Sequence, residues 1–326
     1  MGGMKLIWFR APVISLLLPF LAFAADNSQK KNSEIDKYET SIAKWQQERQ
    51  TKLRADDGWL SLAGLFWLKE GENIFGSAQS NDIELPDSVP AKVGTLVLHQ
   101  NHVSLTSTMS VPAKSESAKS ESMKNPGTAI LLNGKPLAEQ STELHSDANG
   151  GAPDKVQLGS LTITIISRGD KLGVRVRDKD SKARKDFNGL SYYPIDPKLR
   201  IVADFIPYTP PKKIPIPTVL GTTVQEPSHG RVELMLDGKK FSLEPVIEDA
   251  DALFFIFKDT TAGLETYGAG RFLYTENPRD GKIVLDFNKA ENPPCAFTPY
   301  ATCPLPPPQN RLPVAVRAGE KKYGNH

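Results

Sequence analysis

Apolar and polar positions change their period along this chain, and the change divides it. From Ser33 to about Leu53 the apolar residues Ile35, Tyr38, Ile42, Trp45 and Leu53 recur at three- and four-residue steps, with Ser33 and Asp36 placed as a weak capping pair. That spacing predicts one long N-terminal helix with a narrow apolar stripe, packed along the surface of a sheet. From Gly58 onward the period shortens to two. Runs such as Thr95 to Leu98, Val103 to Leu105, Ala129 to Leu132, Leu161 to Ile166 and Leu172 to Val176 are separated by Gly, Asn, Asp and Pro. Asp237-Gly238 between Arg231–Leu236 and Lys239–Leu243 predicts a two-residue hairpin turn, and Asp280-Gly281 precedes a strand over Lys282 to Asp286. Arg168-Gly169-Asp170 reads as a hairpin turn, and Ser181 to Phe187 as a short helix closed by Asn188-Gly189.

No strand-helix alternation of the parallel-sheet kind is present. The fold class expected is therefore mainly β: antiparallel sandwich or barrel-like halves packed together, with one N-terminal α-helix. The expected divisions are a signal peptide over 1–24, a linker and helix over 25–57, an N-terminal β half over 58–206 and a C-terminal β half over 207–326. The tandem Ala113-Lys114-Ser115-Glu116-Ser117 and Ala118-Lys119-Ser120-Glu121-Ser122 marks a polar, disordered loop over 107–127. Pro207 to Pro217 reads as extended and stiff, a connector between the halves or an edge segment.

The N-terminus carries Lys5 and Arg10, an apolar run from Val13 to Leu21, and Ala22-Phe23-Ala24 as a small-x-small cleavage site. It predicts export, to the periplasm or beyond the cell, and no transmembrane segment once the signal is removed. Removing Lys5 and Arg10 takes two from the 40 basic residues and leaves 38 against 38 acidic ones. That balance argues against nucleic acid as a partner.

Chemistry is sparse. There is no G-x-S-x-G elbow, no phosphate loop, no H-E-x-x-H and no C-x-x-C. His99 and His102, read as lying on one strand, would face opposite sides, and no metal or cofactor is expected. In an exported protein Cys295 and Cys303 are expected to form a disulfide worth roughly 2.5 kcal/mol, set within a proline-rich ordered loop. The densest polar cluster lies from Asp259 to Leu273. It offers Glu265, Tyr267 and Arg271 as ligand-binding residues, joined by Asn288, Asn292, Asn310 and Arg311 from the C-terminal loop.

Gly76-Ser77-Ala78-Gln79-Ser80-Asn81-Asp82-Ile83-Glu84-Leu85-Pro86 resembles the opening of a forkhead-associated domain, with Ser77 where that family has its phosphate-binding Arg. More extensively, the segments Gly58 to Leu85, Arg175 to Pro197, Asp259 to Leu273 and Asp286 to Lys321 resemble the bacterial family known as domain of unknown function 1684. The resemblance departs from the family pattern at Glu291 and Ala262, and it implies no activity. The function expected is a binding module for a small polar or anionic ligand. One alternative is a hydrolase-like enzyme using Glu265 or Asp259 as base and Arg271 to stabilise charge. The other is an envelope scaffold docking a partner through an apolar patch around Trp59, Phe66 and Trp67.

Overall fold

The computed structural model describes residues 19–108, 129–137, 141–247 and 252–324. Most of the expected signal peptide (1–18) and of the expected polar loop (109–127) lies outside the described residues. Helix α1 runs from Pro19 to Arg54, so it begins upstream of the expected start at Ser33 and includes the stretch read as a linker. That stretch, with Ala22, Ala24, Ala25, Gln29, Lys30 and Lys31, is rich in helix formers. Beyond it, Ile42 and Leu53 are buried, Trp45, Gln46, Arg49 and Gln50 are half-buried, and the remaining positions between them are exposed, as a narrow stripe requires.

The N-terminal half is two sheets face to face. One is ordered β1 (Leu62–Trp67), β11 (Lys171–Asp178), β10 (Leu161–Arg168), β9 (Val156–Leu158), β6 (Leu131–Leu132) and β7 (Lys135–Pro136). The other is ordered β3 (Ile83–Glu84), β2 (Gly71–Gly76), β4 (Gly94–His99), β5 (His102–Ser107) and β8 (Ser141–Leu144). All neighbours are antiparallel except β2 and β3. Alternate residues of both sheets, among them Phe75, Leu96, Leu105, Ile163, Val174 and Val176, form one core between them.

The C-terminal half has a four-stranded sheet, β14 (Lys239–Leu243), β13 (Thr223–Leu236), β12 (Arg200–Pro217) and β18 (Lys282–Asp286). Beside it is a three-stranded sheet, β15 (Val246–Ile247), β16 (Ala252–Phe257) and β17 (Arg271–Glu276). Their shared core holds Val232, Leu243, Phe255, Phe257, Leu273, Leu285 and Phe287. A short helix α2 (Lys182–Asp186), capped by the Ser181 hydroxyl, leads from the first half to the second.

The Pro207 to Pro217 segment is the edge segment of the two readings and not a connector. β12 continues through it, pairing with β13 from Lys212 to Pro217 after a register break between Pro207 and Lys212. Proline is tolerated there because β18 covers β12 only from Arg200 to Asp204, leaving the rest of that edge without a ladder to feed. The resulting β12–β13 arm reaches back toward the N-terminal half, and its tip is tied to the C-terminal loop by Val219 N–H to the Cys303 carbonyl, 3.0 Å.

The turns fall where glycine and aspartate placed them. Asp237 and Gly238 have φ of 48° and 72°, and Asp280 and Gly281 of 51° and 71°, the double positive φ of a primed turn. His99 and His102 do not share a strand. They face each other across the β4–β5 hairpin, around a third such turn at Gln100-Asn101, and each binds a different carboxylate, Glu70 and Glu143. No described helix is long and apolar enough to cross a membrane.

Candidate functional site

The polar residues expected to bind ligand spend their hydrogen bonds inside the protein. Arg271 is fully buried, with Nη2 on Asp259 Oδ2 and on the Val316 carbonyl, both at 2.8 Å, and Nη1 on the Ala318 carbonyl. Asp259 in turn accepts from the Val316 N–H at 2.9 Å and from Thr261. This pair pins the C-terminal segment to the start of β17. Glu265 lies at the surface in a two-pronged contact with Arg317, whose guanidinium lowers its pKa, and it accepts from the Tyr193 hydroxyl at 3.0 Å. Tyr267 donates to the Cys295 carbonyl, 3.1 Å. Asn288 links Tyr38 of α1 to the Asp196 backbone, and Asn310 ties Glu244 to Ile256. Asn292 holds the Lys321 carbonyl at 2.8 Å, while Arg311 is exposed. These side chains do not converge on a common point, and none lines the cavity described below.

The disulfide expected between Cys295 and Cys303 is not formed; both are free thiols. Cys303 Sγ accepts the Cys295 backbone N–H at 3.1 Å, and the Cys295 thiol turns toward the Ala301 carbonyl at 3.6 Å. The proline-rich loop is instead ordered by buried Ala296, Phe297 and Ala301 and by the backbone tie of Leu305 N–H to the Pro217 carbonyl.

A cavity of about 440 Å³ lies where the two halves meet. Its apolar wall comes from Ile256 and Phe254 of β16 and from Phe272 and Tyr274 of β17. Phe254 stacks on Tyr274 at 4.8 Å and meets Phe272 edge-on at 4.7 Å. The β12–β13 arm closes one side with Ile216, Thr218, Val224 and Glu226, and the C-terminal loop contributes Glu291, Pro294 and Ala301 to Pro304. Trp59 also faces this space, so it does not belong to an exposed patch, and Phe66 and Trp67 are half-buried too.

From the N-terminal half, β11 sends in Arg175. Gly173 to Val176 are all buried because Val174 and Val176 face the first core while the intervening position faces the second half. Arg175 is only 8% exposed, its Nε has no hydrogen-bond partner, its guanidinium lies 5.8 Å from the centre of the Trp59 ring, and no carboxylate pairs with it among the described residues. Its neighbours are already occupied. Arg168 is held by Asp147 at 2.9 Å and by Thr302, and Arg177 donates to the Gly58 carbonyl at 2.8 Å. Burial, then the positive charges of Arg168 and Arg177, push the Arg175 pKa down to about 10, so it stays charged at neutral pH.

Opposite in sign is a buried group around Arg49 of α1. Its Nε meets Glu320 at 3.0 Å and Glu291 at 3.3 Å, and Nη2 donates to the Asn292 carbonyl at 2.9 Å. Glu320 is wholly buried and also accepts the Asn292 N–H at 2.7 Å. The Glu291 backbone pairs with Phe272, but its carboxylate has no further hydrogen bond or ion pair among the described residues, and it lines the cavity. Burial raises its pKa to about 7, opposed by Arg49 and reinforced by Glu320. Burial opposes the Arg49 charge, yet Glu320 and Glu291 outweigh it and its pKa is raised. Beside them the Tyr192 hydroxyl is buried without a partner.

Sequence reasoning missed Arg49, Arg175 and Glu320, and it placed Trp59 in an exposed patch and not in the cavity. A signal existed for Arg175: in Val174-Arg175-Val176-Arg177 a charged residue alternates with apolar ones, which reads as a solvent face until something covers the sheet.

Residues 185–321 match the family described as Protein of unknown function (DUF1684). Among curated proteins none matches significantly. Solved structures match, among them the solution NMR structure of the uncharacterized protein from gene locus rrnAC0354 of Haloarcula marismortui. It is 34% identical, covers 44% of this chain and 81% of that one, and has a TM-score of 0.37.

Proposed function

We propose, for a chain that belongs to the family of unknown function DUF1684 and so inherits no assigned chemistry, that it binds a small amphipathic organic anion in the cavity between its halves. The carrying observation is Arg175: a charged guanidinium, more than nine-tenths buried, with no ion pair among the described residues. A guanidinium has five N–H donors, and a buried one left unmatched, as the Arg175 Nε–H is, costs on the order of 1–3 kcal/mol. A carboxylate or similar oxyanion supplies both the charge and the acceptors, in the two-pronged geometry Arg favours. The wall of Phe254, Phe272 and Tyr274 then covers a hydrocarbon portion, and the volume falls in the range of small-molecule sites. The test is a thermal-shift and calorimetric screen of the full chain with apolar organic acids of increasing length, alongside sugars and nucleotides. Stabilisation by the acids alone is expected; a preference for sugars, or no response, refutes the reading.

One observation favours a second, hydrolytic reading: Glu291 is a cavity carboxyl titrating near neutral pH, as a general acid or base does. It would take the base role in place of Glu265 or Asp259, with Arg175 in place of Arg271 stabilising charge. Release of phenol from aryl esters by the wild type and not by Glu291→Gln would select it over simple binding.

Export is part of the proposal, on the strength of the basic, apolar and small-residue pattern up to Ala24. In an oxidising compartment the adjacent thiols Cys295 and Cys303 would join, and thiol alkylation of protein taken from the envelope fraction tests both points.

A further inference from the structure

We propose that the ligand is a zwitterion of the apolar amino-acid type, its carboxylate on Arg175, its ammonium on Glu291 and its side chain on the Phe254, Phe272 and Tyr274 wall. This deepens the organic-anion reading and rests on it.

The charges within this single cavity have to balance. Arg175 asks for an anion, but the same space already holds Glu291 and Glu226, and Glu226 has no ion pair among the described residues. A simple carboxylate entering it would satisfy the guanidinium and at the same time add negative charge near two carboxyls. A molecule carrying both signs satisfies the two ends together and desolvates neither without compensation. Glu291 is the better ammonium acceptor of the two. Its only ion contact is the 3.3 Å approach of Arg49 Nε to Oε2, while Glu320 takes the shorter contact with the same nitrogen and the Asn292 N–H. Glu320 thus anchors Arg49, and Glu291 keeps acceptor capacity for the cavity. The aromatic wall sets the third requirement, since an edge-on and a stacked pair present a flat apolar surface to one side chain.

L-phenylalanine and 3-phenylpropionate differ only by the ammonium group, so calorimetric titration of the full chain with both isolates the second contact. At pH 8 the amino acid is expected to bind roughly tenfold or more tightly than the acid, the usual scale of a hydrogen bond to a charged partner. Glu291→Gln is expected to close that gap, by weakening L-phenylalanine and by binding 3-phenylpropionate at least as tightly as the wild type does, since a negative charge near the incoming carboxylate is removed. In the wild type the gap should also narrow at pH 6. The groups facing Glu291 are Arg49 and Lys52 of α1, Glu320 and Tyr192; of these carboxyls it is the one left open to the ligand. Equal binding of the two compounds overturns the inference and leaves the organic-anion reading standing. So does a gap that survives Glu291→Gln and closes only in Glu226→Gln. Failure of both compounds to bind overturns the two together. Should Glu291→Gln fail to fold, the pH comparison on the wild type decides.

Discussion

Glu291 and Arg175 are two charges placed where charges are expensive, and each makes a measurable statement about stability. The folded-state pKa of Glu291, about 7, stands above the ordinary carboxyl value near 4.5. The folded protein therefore binds more protons than the unfolded one between those values, and stability falls as pH rises from about 4.5 to about 7, by a few kcal/mol at most. Chemical denaturation across that range should show the loss, and Glu291→Gln should flatten it. Asp259 and Arg271 make the opposite case. Their pair is buried, short and fully engaged, so Asp259→Asn leaves an uncompensated guanidinium and should cost about 3–5 kcal/mol in urea unfolding.

At the scale of elements, the helix and the hairpins were legible because period and turn chemistry are local. Ile42 and Leu53 lie on the predicted stripe of α1, and Asp237-Gly238 and Asp280-Gly281 turn where they should. What sequence could not supply was which strand face another element covers. Arg175 looked solvent-facing, and the proline-rich stretch of β12 looked like a connector, because both depend on the second half folding back over the first. The same reason explains why the cluster from Asp259 to Arg271 reads as a site in sequence and serves as a frame in space: a satisfied network and an open one have the same composition. Two predictions belong to this scale. Arg49 joins α1 to Glu320 and Glu291, so Arg49→Leu should destabilise by about 3–5 kcal/mol on thermal or urea unfolding. Gly270, at φ 106°, sits where a Cβ would lie 2.5 Å from the Phe257 carbonyl oxygen. Gly270→Ala should lower stability by more than the roughly 1 kcal/mol of an ordinary Gly substitution, because the clash is with backbone.

Across the whole molecule, the cavity belongs to neither half alone. The family match covers residues 185–321 and supplies the aromatic wall and Glu291; Arg175, Trp59 and Arg49 come from upstream of it. The proposed binding is thus a property of the full chain, and Arg175 is its most exacting test because function and stability pull in opposite directions there. Replacing a buried unpaired cation with an apolar side chain of similar length should stabilise the protein, by about 1–4 kcal/mol, while removing the anion contact. The decisive measurement is calorimetric titration of wild type and Arg175→Met with 3-phenylpropionate, with the melting temperature of each recorded. The account predicts saturable binding to the wild type, loss of at least tenfold in affinity in the variant, and a variant that melts higher than the wild type. Undiminished binding by Arg175→Met, or no binding by the wild type, would contradict it.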